Sequence, residues 1–197
     1  GSMDLTEPHA GSDLANLRSR ATQDEEGNWF VTGSKIWITS GHGRYHVVIA
    51  RSEDPETHPG LDGISLFLVR AFVEDDEGNR VRQSTLERVD EKLGHHGSAT
   101  VGITFDQSPA ELIGKRGDGF RLMLLLMNNA RISVGFESIG LCEAARRMAK
   151  DYAAQRPSMG KTIDQHEMIA EMLEEMDIDI LDFLNEKNEW FLLEEKQ

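Results

Sequence analysis

Hydrophobic and polar positions change rhythm once along this chain, near the run Gly114-Lys115-Arg116-Gly117-Asp118-Gly119. Upstream of it the residues read as short strands separated by turns. Leu17, Ser19 and Ala21 alternate with Arg18, Arg20 and Thr22, the two-residue period of a half-buried strand. Glu26-Gly27-Asn28 supplies a hairpin turn, and Trp29 to Ile38 reads as the returning strand. Tyr45 to Arg51 and Gly63 to Val69 are short and largely apolar. Asp75 to Asn79 is another turn, and Thr100 to Phe105 a further strand. Six or so strands in about 110 residues predict a β-sandwich or barrel.

Downstream the period lengthens. Phe120 to Gln155 lacks proline and stops at Arg156-Pro157, as expected because the residue before proline disfavours α. Its first half is apolar nearly all round, which predicts a central, buried helix with Cys142 as a small core residue. Gly135 and Gly140 would each cost about 1 kcal/mol relative to alanine inside a helix, so close backbone packing is expected there. After a short loop, Pro157 to Lys161, a second helix follows. In it Ile169, Met172, Leu173, Met176, Ile180, Phe183, Leu184, Trp190 and Phe191 recur mostly at three- and four-residue steps. Glu171, Glu174, Glu175, Asp182, Glu186 and Glu189 fill the complementary positions.

The fold class expected is α+β and multidomain: an all-β sandwich or barrel domain over residues 1–116, then antiparallel long helices over 117–197. Two helices cannot bury their apolar faces alone, and the second carries Trp190, Phe191, Leu192 and Leu193 near its end. The chain therefore reads as a truncated molecule, whose apolar helix face more helices or a partner chain must cover. Gly1-Ser2-Met3 reads either as an expression remnant or as native strand.

Composition narrows the possible roles. Of 197 residues, 39% are hydrophobic and 28% charged, the balance of a globular protein rather than a disordered one. Against 21 basic residues stand 35 acids, a net charge of -14 that argues against nucleic-acid backbones and anionic lipid as partners. The stretch from Ile163 to Gln197 holds twelve acids and two lysines, so most of this charge reads as the solvated face of the second helix. One cysteine cannot form an internal disulfide, which fits a reducing compartment. No apolar run approaches the ~20 residues of a membrane helix, so no transmembrane segment is expected.

The usual catalytic signatures are missing: no P-loop, no G-x-G-x-x-G after a strand, no G-x-S-x-G elbow and no C-x-x-C pair. His166-Glu167 begins like a zinc helix motif, but Ala170 stands where its second histidine belongs. His95-His96 lies in a glycine-flanked turn and reads as loop polarity, so no metal site is expected. Two segments carry chemistry. Leu5-Thr6-Glu7-Pro8-His9-Ala10-Gly11-Ser12-Asp13 is a loop that lets a ligand lie against backbone amides. In Gly33-Ser34-Lys35-Ile36-Trp37-Ile38-Thr39-Ser40-Gly41, Trp37 and Thr39 are two apart and share a strand face. An aromatic surface beside a hydroxyl suits a flat heteroaromatic ligand, although strand packing plus a turn explains the same residues.

With T-E-P-x-A-G-S-D followed by G-x-K-x-W-I-T, the chain resembles the middle β-domain of the flavin-dependent acyl-CoA dehydrogenases. The likeness continues through Gly63–Val69, Lys92-Leu93-Gly94 to Ser98, Gly117 to Phe120, Met127-Asn128-Asn129-Ala130-Arg131 and Arg156–Lys161. The Met-Asn-Asn-Ala-Arg and Met-Gly-Lys-x-Ile-Asp segments resemble most the larger-subunit subgroup, which includes 3-methylmercaptopropionyl-CoA dehydrogenases. The resemblance implies a middle β-domain followed by the first helices of a truncated four-helix bundle, with FAD lying against the β-domain. It implies Leu5 and Thr6 at the pyrimidine side of the flavin, Ser12 at the FAD phosphate and nearby CoA, Trp37 beside the ring and Thr39 at the N5 edge. Ser98, Asn128 and Arg131 would line the CoA channel together with Ser12, and Arg156 would reach the FAD of a neighbouring subunit. Met159 replaces the phenylalanine usual in R-x-x-F-G, and Glu167 a frequent glutamine.

The activity implied is oxidation of an acyl-CoA thioester to trans-2-enoyl-CoA, with electrons leaving to an electron-transfer flavoprotein. No catalytic residue is assigned within the chain. The family's proton-abstracting glutamate lies later in the bundle or, in some members, at the position held here by Ala130; Glu137, about two turns on, has no support from the family pattern. Alone, the chain is expected to be inactive and to bind FAD weakly or not at all. A homo-oligomer (dimer or tetramer) and a location in the bacterial cytoplasm or a mitochondrial matrix follow from the same likeness. The alternatives are an acyl-CoA oxidase or flavin monooxygenase of the same superfamily, and a non-catalytic assembly module on this fold.

Overall fold

The computed structural model describes the backbone of residues 1–194 and the side chains of residues 1–185. The chain divides into two compact units, Gly1–Leu126 and Met127–Gln197. In the first, strands β1 (Ser2–Asp4), β2 (Arg20–Gln23), β3 (Trp29–Thr39), β4 (Tyr45–Arg51), β5 (Ile64–Arg70), β8 (Ser84–Val89) and β9 (Thr100–Ile113) form one seven-stranded sheet. Between β5 and β8 a small hairpin, β6 (Phe72–Glu74) with β7 (Arg80–Arg82), stands apart.

The sheet closes on itself. Its order runs β4-β2-β3-β9-β5, and β5 pairs back onto β4 along seven residues from Tyr45↔Arg70 to Arg51↔Ile64. Closure joins the two ends of this path and makes the predicted barrel a real one, with β1 on β4 and β8 on β9 at its margins. Val31, Ile38, Val48, Ala50, Phe67, Val69, Val101, Ile103 and Phe105 fill it. The two predicted turns share one chemistry. Asp24 and Asp75 each accept the backbone N–H groups two and four residues on, while Gly27 and Gly78 take the positive φ that follows.

β9 runs well past the predicted end at Phe105. At Gln107, where φ is +47°, the strand bulges against β3, and its last residues exchange β3 for β5 as partner. The exit from the barrel is tight as well. The Gly117 N–H donates to Ser65 Oγ at 2.8 Å, and a side chain at Gly119 would collide with the Ser65 backbone. Arg116 grips Glu53 through Nε and Nη2, at 2.6 and 2.9 Å.

The second unit contains α1 (Gly119–Ala153, which begins in the first unit), a hairpin of β10 (Pro157–Ser158) and β11 (Lys161–Thr162), and α2 (Glu167–Glu194). Met159 and Gly160 both adopt positive φ at the hairpin tip, the pattern of a two-residue type I′ turn where a loop is predicted. Half-buried Asp177 joins the helices by pairing with both Arg146 and Lys150 of α1. These cations hold its carboxyl below the usual aspartate range, the Lys150 hydrogen bond contributing most.

Three expectations for α1 fail here. Leu125, Val134, Phe136 and Leu141 are exposed, so α1 is not a buried helix; one neighbouring helix covers one stripe, not the whole circumference. Cys142 is likewise exposed and lines a groove of about 550 Å³ with Ile139, Ala145, Met176, Ile180 and Phe183. Nothing lies within 4 Å of where a Gly140 side chain would stand, so close packing does not explain that glycine. The apolar group expected at Trp190, Phe191, Leu192 and Leu193 lies outside the described side chains. Among the described residues no helix is long and apolar enough to cross a membrane.

Candidate functional site

Both chemistry-bearing segments belong to the first unit, and a buried ion pair fastens one to the other. In the Leu5–Asp13 loop, Glu7 and Ala10 exchange backbone hydrogen bonds of 2.9 and 3.2 Å around Pro8-His9. This tight turn sends the Glu7 side chain inward. Its carboxylate accepts the backbone N–H of Arg18 at 2.7 Å, that of Ser19 at 3.0 Å and the Lys35 ammonium at 2.9 Å. Lys35 Nζ also donates to the Leu5 carbonyl at 2.9 Å. The Lys35 side chain is 0% exposed and that of Glu7 2%.

Burial acts on the two partners differently. It pushes the Lys35 ammonium below its ordinary value, with Glu7 and then Asp4 opposing. It pushes the Glu7 carboxyl upward, but the Lys35 charge and the hydrogen bonds outweigh this and leave Glu7 below the usual range. Both partners have the charge-assisted hydrogen bonds that a buried pair needs.

Immediately after Lys35, β3 breaks its alternation. Lys35 pairs with Ile103 and Ile38 with Val101, so Ile36 and Trp37 stand opposite the single residue Gly102. This bulge carries Trp37 at φ +57°, unusual for a bulky residue, and the Ile36 N–H turns to the Thr6 carbonyl at 2.9 Å. In a regular strand Lys35 and Trp37 would share a face. Here Lys35 points into the barrel, while Trp37 is 61% exposed. Thr39 is exposed as well, on the far side of buried Ile38.

Beyond Thr39 the chain meets a second pinned loop. Ser40 Oγ and Ser98 Oγ are hydrogen-bonded at 2.8 Å, and the Ser40 N–H donates to Ala99 O at 2.8 Å. Lys92 Nζ holds the loop by donating to the carbonyls of His95, at 2.8 Å, and Ser98, at 2.5 Å. The structure thus gathers Leu5, Thr6, Trp37, Thr39 and Ser98 around the end of β3. Ser12 is exposed one residue beyond Gly11, whose missing side chain would rest on the Thr6 methyl.

The remaining predicted site residues belong to the second unit. Arg131 Nη1 donates to Asn128 Oδ1 at 2.9 Å across one turn of α1, and both are exposed. Arg156 is exposed where α1 gives way to the hairpin, its N–H on Tyr152 O and its carbonyl on Ile163 N–H. The His166 ring steadies this corner from 3.1 Å off Ser158 O. Among the described residues no group of three His, Cys, Asp or Glu side chains converges as a metal site would require.

Sequence reasoning quoted Glu7 and Lys35 inside its two motifs and gave them no role. The available signal was a lysine on the same strand face as Val31 two pairs before it, which demands a buried acid elsewhere when that face is the inner one. Ser40 and Lys92 were missed because their partners are a side chain and carbonyls of a separate loop.

An exposed indole face, the hydroxyls of Thr6, Thr39, Ser40 and Ser98 and a turn rich in backbone amides make a donor set for a flat heteroaromatic ring with a polar edge, carried on a polar chain. FAD has that chemistry, and these residues fit it.

Comparison with known proteins identifies the family. The acyl-CoA dehydrogenase middle-domain family matches residues 2–108, and the acyl-CoA dehydrogenase C-terminal-domain family matches residues 117–182. A 3-methylmercaptopropionyl-CoA dehydrogenase of Ruegeria pomeroyi is 35% identical over 163 residues, which cover 79% of this chain and 27% of that protein. The structure of butyryl-CoA dehydrogenase from Megasphaera elsdenii superposes with a TM-score of 0.83 at 28% identity, over 95% of this chain and 47% of that one. A structure described as the electron-transferring flavoprotein of Acidaminococcus fermentans gives a TM-score of 0.79 at 27% identity, over 92% of this chain and 46% of that one. The chain therefore spans half or less of the length of these relatives. It belongs to the acyl-CoA dehydrogenase family, a family of FAD-dependent oxidoreductases.

Proposed function

We propose that this chain forms the flavin-facing wall, and part of the thioester channel, of an enzyme that oxidises an acyl-CoA to trans-2-enoyl-CoA. The observation that carries this reading is Trp37, 61% exposed on a strained bulge beside Thr39 at the end of β3. Bound there, FAD supplies the two-electron acceptor for the hydride that leaves the β-carbon. Trp37 offers its ring face for stacking, and Thr39 a hydroxyl at the ring edge. Leu5 and Thr6 border the pyrimidine side, and Ser12 meets the phosphate and the nearby CoA. Ser98, Asn128 and Arg131 line the CoA channel, and Arg156 reaches the FAD of a neighbouring subunit in a homo-oligomer.

The residues of this chain bind, orient and exclude water; none is assigned the α-proton. The family likeness offers position 130 for the proton acceptor within this chain, and Ala130 cannot take a proton; by the same likeness the proposed carboxylate lies outside these residues. An electron-transfer flavoprotein is the proposed electron acceptor, supported by the likeness to a structure described by that name. The bacterial sources of the relatives support a cytoplasmic location.

Anaerobic addition of saturated acyl-CoA thioesters to the FAD-loaded enzyme that contains this chain tests the reading. The expected result is loss of the oxidised-flavin absorbance with equimolar 2-enoyl-CoA, and reoxidation by an electron-transfer flavoprotein. Flavin that no acyl-CoA reduces, or that on later admission of air returns its electrons to oxygen as peroxide in preference to the electron-transfer flavoprotein, overturns it.

A further inference from the structure

We propose that the buried Glu7–Lys35 pair is a positioning device that fixes the β3 bulge and so decides that Trp37 faces outward. This rests on the flavin-facing reading above and names the residues that set its geometry. Lys35 and Trp37 are two apart, so without the bulge they compete for one face of the sheet, and either a cation is expelled or an indole is buried. The structure resolves the conflict by spending two residues, Ile36 and Trp37, opposite Gly102.

What makes that arrangement definite is the partner of the bulged backbone. The Ile36 N–H donates to Thr6 O, and Thr6 stands between Leu5 and Glu7, the two residues gripped by Lys35 Nζ. Glu7 is in turn tied to the chain that leads into β2, through the Arg18 and Ser19 N–H groups. The ammonium therefore closes a small ring: Lys35 to Leu5 and Glu7, across Thr6 to Ile36, and along the strand back to Lys35. A ring of this kind transmits a displacement of the loop directly to the φ of Trp37. The hydroxyl of Thr6 and the ring of Trp37 move as one surface, which a flat ligand needs and which core packing alone does not require.

Two variants separate this role from plain stability. K35M strands a buried carboxylate, and is expected to lower the melting temperature severely. K35M/E7Q removes both charges, while the glutamine carbonyl still accepts an N–H from the Arg18–Ser19 segment, so it should melt near the wild type. In K35M/E7Q we expect the Ile36 amide to exchange hydrogen about tenfold faster or more, the Trp37 indole N–H resonance to shift, and the enzyme containing the chain to bind FAD about tenfold more weakly or worse. A double variant with wild-type Ile36 protection, or one with faster exchange and undiminished FAD affinity, overturns the proposal. If the wild type itself fails to bind FAD while Ile36 loosens in the double variant, the positioning role stands and the flavin reading falls.

Discussion

The barrel unit and the helical unit treat the same kind of side chain in opposite ways. In the barrel Val31, Ile38, Val48, Phe67, Val69, Val101, Ile103 and Phe105 pack together inside, the exposed large apolar residues of the sheet strands are Met3, Trp37, Tyr45 and Val89, and the buried Lys35 has a carboxylate for partner. In the helical unit exposed apolar side chains are the rule: Val134, Phe136, Leu141, Met148, Met172, Ile178 and Leu181 are all exposed. An exposed aromatic is informative only against a well-packed background. Trp37 stands out in the barrel and would go unnoticed on α1. The units differ in electrostatics as well, because Glu7–Lys35 is sealed from water while Asp177 with Arg146 and Lys150 is about a third exposed.

The strongest challenge to this contrast is to break the sealed pair. K35M should cost about 3–5 kcal/mol of barrel stability in denaturant unfolding, and K35M/E7Q should recover most of it. Core truncation gives the next contrast. Phe67→Ala, inside the barrel, should cost about 3–5 kcal/mol, whereas Leu141→Ala on α1 should stay within about 0.5 kcal/mol. Equal losses from the two would erase the distinction.

Acid and salt sharpen the electrostatic half. Glu7 and Asp177 both sit below their ordinary values, so each contributes stability that is fully present above the usual carboxylate range. That contribution is lost as pH falls through the lowered folded values. Melting followed by circular dichroism from neutral pH downward should show the loss, and E7Q should flatten it for the barrel. Adding salt to about 1 M at neutral pH should weaken the exposed Asp177 cluster and leave Glu7–Lys35 nearly untouched. The smallest expected effect is at Trp37. Because glycine adopts a positive φ freely, Trp37→Gly should leave barrel stability unchanged or raise it by about 1 kcal/mol while weakening FAD binding. A large loss of stability would recast Trp37 as a packing residue.

Much of the barrel was legible because its signals are local. The turns at Gly27 and Gly78, the apolar runs of β4 and β5 and the break at Gly114–Gly119 are written in neighbouring residues. What stayed hidden depends on distance. Closure of β5 onto β4, the partner exchange that carries β9 past Pro109, and the Glu7–Lys35 pair each join residues far apart in sequence. The bulge was hidden for another reason. Strict alternation does put Trp37 and Thr39 on one face, but it puts Lys35 there too, and only the tertiary pairing with Leu5 and Glu7 separates them. On α1 the apolar pattern was read correctly and its consequence was not, since a pattern specifies which positions seek cover and not what covers them. Asp177 shows the converse: an acid within the inward stripe of α2, placed there by two cations on α1.

Whether Trp37 is held outward to meet a flavin is decided by a crystal structure of the FAD-loaded enzyme that contains this chain. The flavin ring is expected in van der Waals contact with the Trp37 indole and within hydrogen-bond reach of the Thr39 hydroxyl, with the Ile36 N–H still on Thr6 O. FAD seated elsewhere, with Trp37 left in solvent or covered by protein, would contradict it.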